Sequence, residues 1–299
     1  MNRRTFGQSI AAAALAASLP SRASATPAPQ PPPFALSVML WTVFNDLPFE
    51  DRLAKIAEAG YTNVELVGEY NAKNWSPAEY DRANAARKRL GIHFDATAGL
   101  HNGIANPATR EAFLAELGQA LAPMETLACP AMIVLSGNVV PSLTHEAQHD
   151  ACVETLKQAA KLVEGRQIAG QLVRLLLECI HLEESPHYFL TSANEGIEIV
   201  RAVNHPQVQF LYDIYHEQMS YGNLIDKLDK HIDVIGLIHI ADVPGRHEPG
   251  SGEINYGNIY KRLAELNYRN NVAMEFRPVG DPVATLRAAK SFALTAGAL

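Results

Sequence analysis

From Phe34 onward the chain alternates short apolar runs of period two with longer amphipathic stretches of period 3.6, the pattern of successive βα units. Strands are predicted at 35–40, 63–66, 93–97, 132–135, 173–178, 209–213, 234–240 and 272–276. Helices are predicted between and after them at 49–59, 77–90, 107–127, 145–168, 193–203, 223–230, 256–266 and 282–295. Boundary residues agree with this division. Ser76-Pro77 and Asn106-Pro107 each place a cap before a first-turn proline, and Gly60 and Gly91 follow helix ends. Strands about 30 residues apart in eight consecutive units fit a closed (β/α)8 TIM barrel better than an open doubly wound sheet. No glycine-rich dinucleotide fingerprint follows the first strand, which weighs against a Rossmann reading.

A barrel of this kind carries its chemistry at the C-terminal ends of its strands. Three apolar runs end there in a carboxylate: Leu175-Leu-Leu-Glu178, Phe210-Leu-Tyr-Asp213 and Val272-Ala-Met-Glu275. A fourth carries His239 between Ile238 and Ile240, then runs through Asp242 into a loop dense in Arg, His, Glu and Gly. By strand alternation the two isoleucines face the helix layer and His239 faces inward. A carboxylate buried at a strand end is costly unless a cation or donor compensates it. Three carboxylates and one imidazole suit a single divalent ion of intermediate hardness, Mn2+, Mg2+ or Co2+, whereas a structural zinc would recruit thiolates. Glu178 and Glu275, on opposite faces of such a site, can remove and return a proton of a hydroxycarbonyl compound through an enediolate.

Around this set, His216 in Asp213-Ile-Tyr-His216 suits substrate binding or polarisation of a carbonyl oxygen rather than ligation. Arg246 suits bidentate contact with a substrate carboxylate; the blander alternative is a solvated Arg246–His247 pair balanced by Glu248 and Glu253. Glu65, Glu69 and His101 lie near earlier strand ends, where they line the pocket or stand at the surface, and His101 joins the predicted substrate contacts. For Glu178 alone, a rim ion pair with an arginine is the bland reading, and the coincidence of four strand ends weighs against it.

Composition narrows the partner. The 299 residues are 47% hydrophobic and 19% charged, enough for one large domain with a substantial core. A net charge of -7 lacks the basic footprint that nucleic acid or an anionic membrane requires, so a small-molecule substrate, a hydroxycarbonyl compound or a sugar, is expected. Cys129, Cys152 and Cys179 make no disulfide framework, although one bridge is compatible with them, and Cys179 reads as a small buried apolar side chain. At the N-terminus, Asn2-Arg-Arg-Thr-Phe6 precedes an apolar run over 10–19 and then Ala23-Ser-Ala25, a small-x-small cleavage signal. Residues 1–25 therefore read as an export peptide of the twin-arginine kind, 26–33 as a proline-rich linker and 34–299 as the barrel domain. The apolar run is too short to anchor the chain in a bilayer, so a periplasmic protein without stable membrane insertion is expected.

The stretch from Asp213-Ile-Tyr-His216 through Ala241-Asp-Val-Pro-Gly-Arg-His-Glu-Pro-Gly250 to Gly252-Glu-Ile-Asn-Tyr256 resembles the hydroxypyruvate isomerase family, within the xylose isomerase-like barrels. The likeness extends over most of the chain after Phe34 in strand order, with its specific motifs in the C-terminal half. It implies Glu178, Asp213, His239 and Glu275 as the ligands of one divalent ion, with Glu178 and Glu275 doubling as the proton-transfer pair. It also implies substrate contacts from His216 and Arg246, and Glu184 resembles a substrate-contacting glutamate of related ketose epimerases. The reaction implied is the interconversion of hydroxypyruvate and tartronate semialdehyde. His239 stands where hydroxypyruvate isomerases often carry Gln and is similar to the sugar-epimerase branch. A periplasmic ketose 3-epimerase, or an isomerase or lyase of a keto-sugar or keto-glycoside, therefore stays open, since each begins by removing an acidic proton beside a carbonyl. A non-catalytic sugar-binding barrel would need the pocket but not both glutamates. A multi-metal phosphodiesterase would need further His and Asp ligands and a basic face. Assembly as a homo-oligomer is compatible with the sequence.

Overall fold

A computed structural model describes residues 30–68 and 75–298; the segment expected to be an export peptide, residues 26–29 of the expected linker, and Glu69 lie outside the described residues. The strands in chain order are β1 Ala35–Met39, β2 Asn63–Leu66, β3 His93–Thr97, β4 Ala131–Leu135, β5 Gln167–Ile168, β6 Gln171–Leu172, β7 Arg174–Glu178, β8 Val208–Asp213, β9 Ile235–Ile240 and β10 Asn271–Met274. Eight of them close in parallel as β1-β2-β3-β4-β7-β8-β9-β10, the last pairing with the first, and β5 and β6 form a separate hairpin. The helices are α1 Phe49–Glu58, α2 Pro77–Leu90, α3 Arg110–Leu127, α4 His145–Val163, α5 Ala193–Val203, α6 Ile214–Ser220, α7 Leu224–His231, α8 Tyr256–Glu265 and α9 Pro282–Ala296. The predicted (β/α)8 barrel is the observed fold.

Local chemistry explains where the elements stop. Ser76 and Glu79 form a capping box ahead of Pro77 in α2, and Gly91 closes that helix at φ +66°. Asn106 accepts from the Ala108 amide, but the turn it opens, Pro107–Thr109, is a 3-10 turn, and α3 proper starts at Arg110. Helix α4 ends at Val163, short of the predicted 168, because Gly165 and Gly170 adopt φ of +67° and +78° and the chain turns into the β5–β6 hairpin instead. Helix α6 was not predicted; it starts directly after Asp213, whose Oδ1 accepts from the His216 amide at 3.0 Å as its N-cap.

Alternation along the strands sorts the side chains into two cores. Outward residues such as Leu175, Leu177, Phe210, Tyr212, Ile238 and Ile240 pack against the helices. Each such side chain stabilises the fold by about 1.5–3 kcal/mol. Inward, Met39, Ala96, Ala131, Ile133, Leu176, Leu211, Leu237 and Ala273 fill the middle of the barrel. Beneath them lies a polar layer in which Asp95 accepts from Ser37 Oγ at 2.9 Å and from the Asn271 amide, while Arg174 donates to the Gly236 carbonyl at 3.0 Å. Asp95 enters the interior through an irregularity: Val64 pairs with Phe94 but Glu65 pairs with Ala96, so Asp95 is an extra residue in β3. Above the apolar layer lie the strand ends. All three cysteines are free and buried, and burial pushes their thiols up. No helix among the described residues is long and apolar enough to cross a membrane.

Candidate active site

Glu178 and Asp213 are the last residues of β7 and β8, His239 is the penultimate residue of β9, and Glu275 follows β10 directly. Two residues below them lie Leu176, Leu211, Leu237 and Ala273 of the inner apolar layer, so period two puts all four polar side chains on the inside. Register aligns them: Asp213 pairs with His239, and the Glu275 amide donates to the Ile240 carbonyl at 3.1 Å. One ligand atom from each of the four lies within 4.8 Å of the others, and all four residues are buried.

The charges in this cluster are unbalanced. Burial pushes the Glu178 carboxyl well above the usual carboxylate range; His239 opposes the shift, and the neighbouring Glu275 and Asp213 add to it. Burial and then Glu275 push Asp213 up to about 6. For Glu275, burial also raises the value, but Arg246 and His239 outweigh it and hold the carboxyl well below its ordinary range. Burial opposes a charge on His239, yet Glu275 and Glu65 raise it well above the usual imidazole value. Asp213 Oδ2, buried, finds no hydrogen-bond partner among the described residues. Three converging carboxylates, two of them pushed toward the protonated form and one with a buried oxygen that Arg246 and His216 approach only to 3.5 and 3.4 Å, are what a divalent cation would relieve. The donor set of three carboxylates and one imidazole therefore fits such an ion. His239 Nδ1 is the nitrogen on that side, 2.8 Å from Glu275 and 3.9 Å from Glu178, whereas Nε2 is 2.7 Å from Glu65. Glu65 orients the ring from behind.

The residues expected to contact substrate lie next to this cluster. His216 and His181 are both buried, with their Nδ1 atoms 2.6 Å apart, so one donates to the other. Burial, then the nearby Arg246, lowers His216 to about 3, which keeps its ring neutral. Arg246 donates to Glu184 at 2.7 Å and to Glu275 at 2.6 Å, and its guanidinium lies 5.2 Å from the Trp41 ring and 5.0 Å from the Tyr215 ring. Trp41 in turn donates its indole N–H to Glu275 at 2.8 Å. His181, Glu184 and His216 are also close enough to hold an ion, but the guanidinium already bonded to Glu184 supplies positive charge there and disfavours a second cation.

Arg246 is aimed by its loop. Asp242 accepts from the amides of Val243 and Ile254 through Oδ1 and of Gly250 and Gly252 through Oδ2, all at 2.9–3.0 Å, so the loop folds around one carboxylate. Gly252 is required there: a Cβ would lie 2.0 Å from the Val243 carbonyl oxygen.

Seven of the eight predicted site residues are thus assembled at one end of the barrel: Glu178, Asp213, His239, Glu275, His216, Arg246 and Glu184. His101 is not brought to them; it is exposed in the β3–α3 connection, where its Nδ1 pairs with Glu116 at 2.5 Å. Sequence reasoning missed the roles of Glu65, His181, Trp41 and Tyr215. Only Glu65 carried a local signal, as the inward position between the outward Val64 and Leu66.

Comparison with known proteins gives consistent results. The model of the xylose isomerase-like TIM barrel family matches residues 53–293. The chain is 30% identical over 251 residues to the 2-oxo-tetronate isomerase of Pectobacterium atrosepticum, covering 83% of this chain and 93% of that relative. It is 29% identical over 256 residues to the hydroxypyruvate isomerase of Escherichia coli K12, covering 84% and 96%. Among solved structures, an AP endonuclease family 2 protein from Brucella melitensis superposes with a TM-score of 0.74 at 27% identity, covering 85% of this chain and 96% of that one.

Proposed function

The chain belongs to the xylose isomerase-like TIM barrel family, and on that premise we propose that it is a divalent-metal-dependent isomerase of a small keto acid, acting on hydroxypyruvate to give tartronate semialdehyde. The observation that carries the reading is the convergence of two glutamates from separate strand ends, Glu178 and Glu275, on one buried cluster with Asp213 and His239, one ligand atom of each within 4.8 Å of the others. Two carboxylates beside one ion can remove a proton and return one.

In this reading Glu275 takes a proton from C3 of hydroxypyruvate, and the electron pair moves into a C2–C3 enediolate. Glu178 returns a proton to C2, and the C3 hydroxyl proton passes to the C2 oxygen, leaving an aldehyde at C3. When bound by Glu178, Asp213, His239 and Glu275, the divalent ion supplies positive charge that stabilises the developing enediolate. His216, neutral, offers its imidazole as a hydrogen-bonding partner for a substrate oxygen, and Trp41 and Arg246 fix the Glu275 carboxylate by one hydrogen bond each. The endonuclease alternative is disfavoured by the net charge of -7 and by the guanidinium beside the second His–Glu group.

The test is hydrogen exchange. The protein, supplied with Mn2+, Mg2+ or Co2+ in D2O, is expected to place deuterium beside the carbonyl of hydroxypyruvate, read by NMR, with Glu275→Gln slowing exchange by about 10^3-fold. Absence of exchange with hydroxypyruvate and its four-carbon 2-oxo homologues under all three ions would overturn the reading. Exchange confined to neutral ketoses would transfer the assignment to the epimerase alternative that His239 favours.

A further inference from the structure

We propose that Arg277, to which no role attaches so far, receives the substrate's carboxylate and thereby selects keto acids over neutral ketoses. This rests on the isomerase reading above and names the substrate class of the same site. A keto acid adds a negative charge beside Glu178, Asp213 and Glu275, whose own charge the divalent ion would offset, so a further cation with free donors would favour the acid over a neutral ketose. The nearer guanidinium is committed. Arg246 bonds Glu184 and Glu275 through its two terminal nitrogens and the Glu275 carbonyl through Nε, and Trp41 and Tyr215 lie over its guanidinium. Arg246 fixes the base and has its charge matched within the protein.

Arg277, two residues beyond Glu275, differs on each count. Its side chain is exposed, and among the described residues no carboxylate lies within ion-pair distance of it. Its guanidinium carbon lies 5.2 Å from the centre of the Trp41 ring, the same indole that bonds Glu275 and stacks on Arg246. Its backbone is pinned on both sides: the amide donates to the Arg246 carbonyl at 2.7 Å, and the carbonyl accepts from His247 Nδ1 at 2.9 Å. An unmatched planar cation thus lies beside the indole that bonds Glu275, with its hydrogen-bonding fork free, and such a fork can take a carboxylate in bidentate fashion. The carboxylate contact expected from the sequence for Arg246 passes to Arg277 in this assignment.

Two pairs of compounds isolate the carboxylate. D-glycerate and glycerol do not isomerise and differ in that group, and hydroxypyruvate differs from dihydroxyacetone in the same way. In calorimetric titrations of the metal-loaded protein, wild type is expected to prefer D-glycerate to glycerol, and Arg277→Gln to reduce that preference about 10-fold, with Arg277→Lys retaining part of it. In parallel, the kcat/KM ratio of hydroxypyruvate over dihydroxyacetone falls about 10-fold in Arg277→Gln, chiefly through KM of the acid. The proposal is overturned if wild type shows no preference for D-glycerate, or if Arg277→Gln leaves that preference intact. A preference for D-glycerate that depends on Arg277 in a protein that exchanges no substrate proton would uphold this site and defeat the isomerase reading alone.

Discussion

Glu65 touches no predicted substrate position, yet it holds His239 Nε2 at 2.7 Å while the other ring nitrogen faces the carboxylate cluster. Its remaining oxygen, Oε1, is buried without a hydrogen-bond partner among the described residues, so the carboxylate is present for the imidazole alone. Glu65→Gln is expected to weaken cation affinity about 10- to 100-fold, measured by competition against a metallochromic chelator, because the ring loses the partner that fixes its orientation and basicity. Unchanged affinity would assign Glu65 to packing. At this scale the sequence was readable where a residue's neighbours in the chain determine its direction. Glu178, Asp213, His239 and Glu275 each sit in an apolar run whose period says which way they point. It was unreadable where the partner is distant: Trp41 meets Glu275 across 234 residues, and His181 meets His216 from a loop with no period of its own.

Among elements, the loop between β9 and α8 shows how a sequence motif can conceal a structural core. The Arg, His and Glu of that loop invite a chemical reading, yet Asp242, which gathers four backbone amides, does the folding. Asp242→Ala strands those donors, and a stability loss of about 3 kcal/mol in urea denaturation is expected, together with a drop in kcat/KM as Arg246 loses its setting. Full activity in that variant would show that Arg246 is positioned by Glu184, Glu275 and the aromatic rings alone. Helix limits followed similar logic. Capped starts such as Ser76-Pro77 were legible, whereas the end of α4 depended on glycine backbone angles inside a segment that still read as helical, and α6 spans only seven residues.

For the molecule as a whole, the barrel was legible because strand spacing and strand-end chemistry pointed the same way. Its polar lower layer was not, since the extra residue in β3 that turns Asp95 inward leaves no trace in the apolar pattern. That layer makes stability depend on pH. Burial, then Glu65, pushes the Asp95 carboxyl up to about 8 from an ordinary value of 3.8. The folded protein therefore keeps a proton that the unfolded chain has released, and stability from this group is full below about pH 4 and is lost as pH rises through about 8. Asp95→Asn removes this dependence, so its urea midpoint relative to wild type is expected to rise from pH 5 to about pH 8 and to level off above it. A constant difference across that range would show that Asp95 is ionised in the fold.

Trp41 carries a consequence of its own. The chain has two tryptophans, and Trp41 is the one whose indole N–H bonds Glu275 and whose ring lies beside both Arg246 and Arg277. Its excited state therefore sits beside the proposed base Glu275, the Arg246 guanidinium that bonds it and the exposed Arg277. With Trp75 replaced by phenylalanine, the emission of a single fluorophore reports the charge and occupancy of the pocket, and the protein carries its own optical gauge of ligand entry.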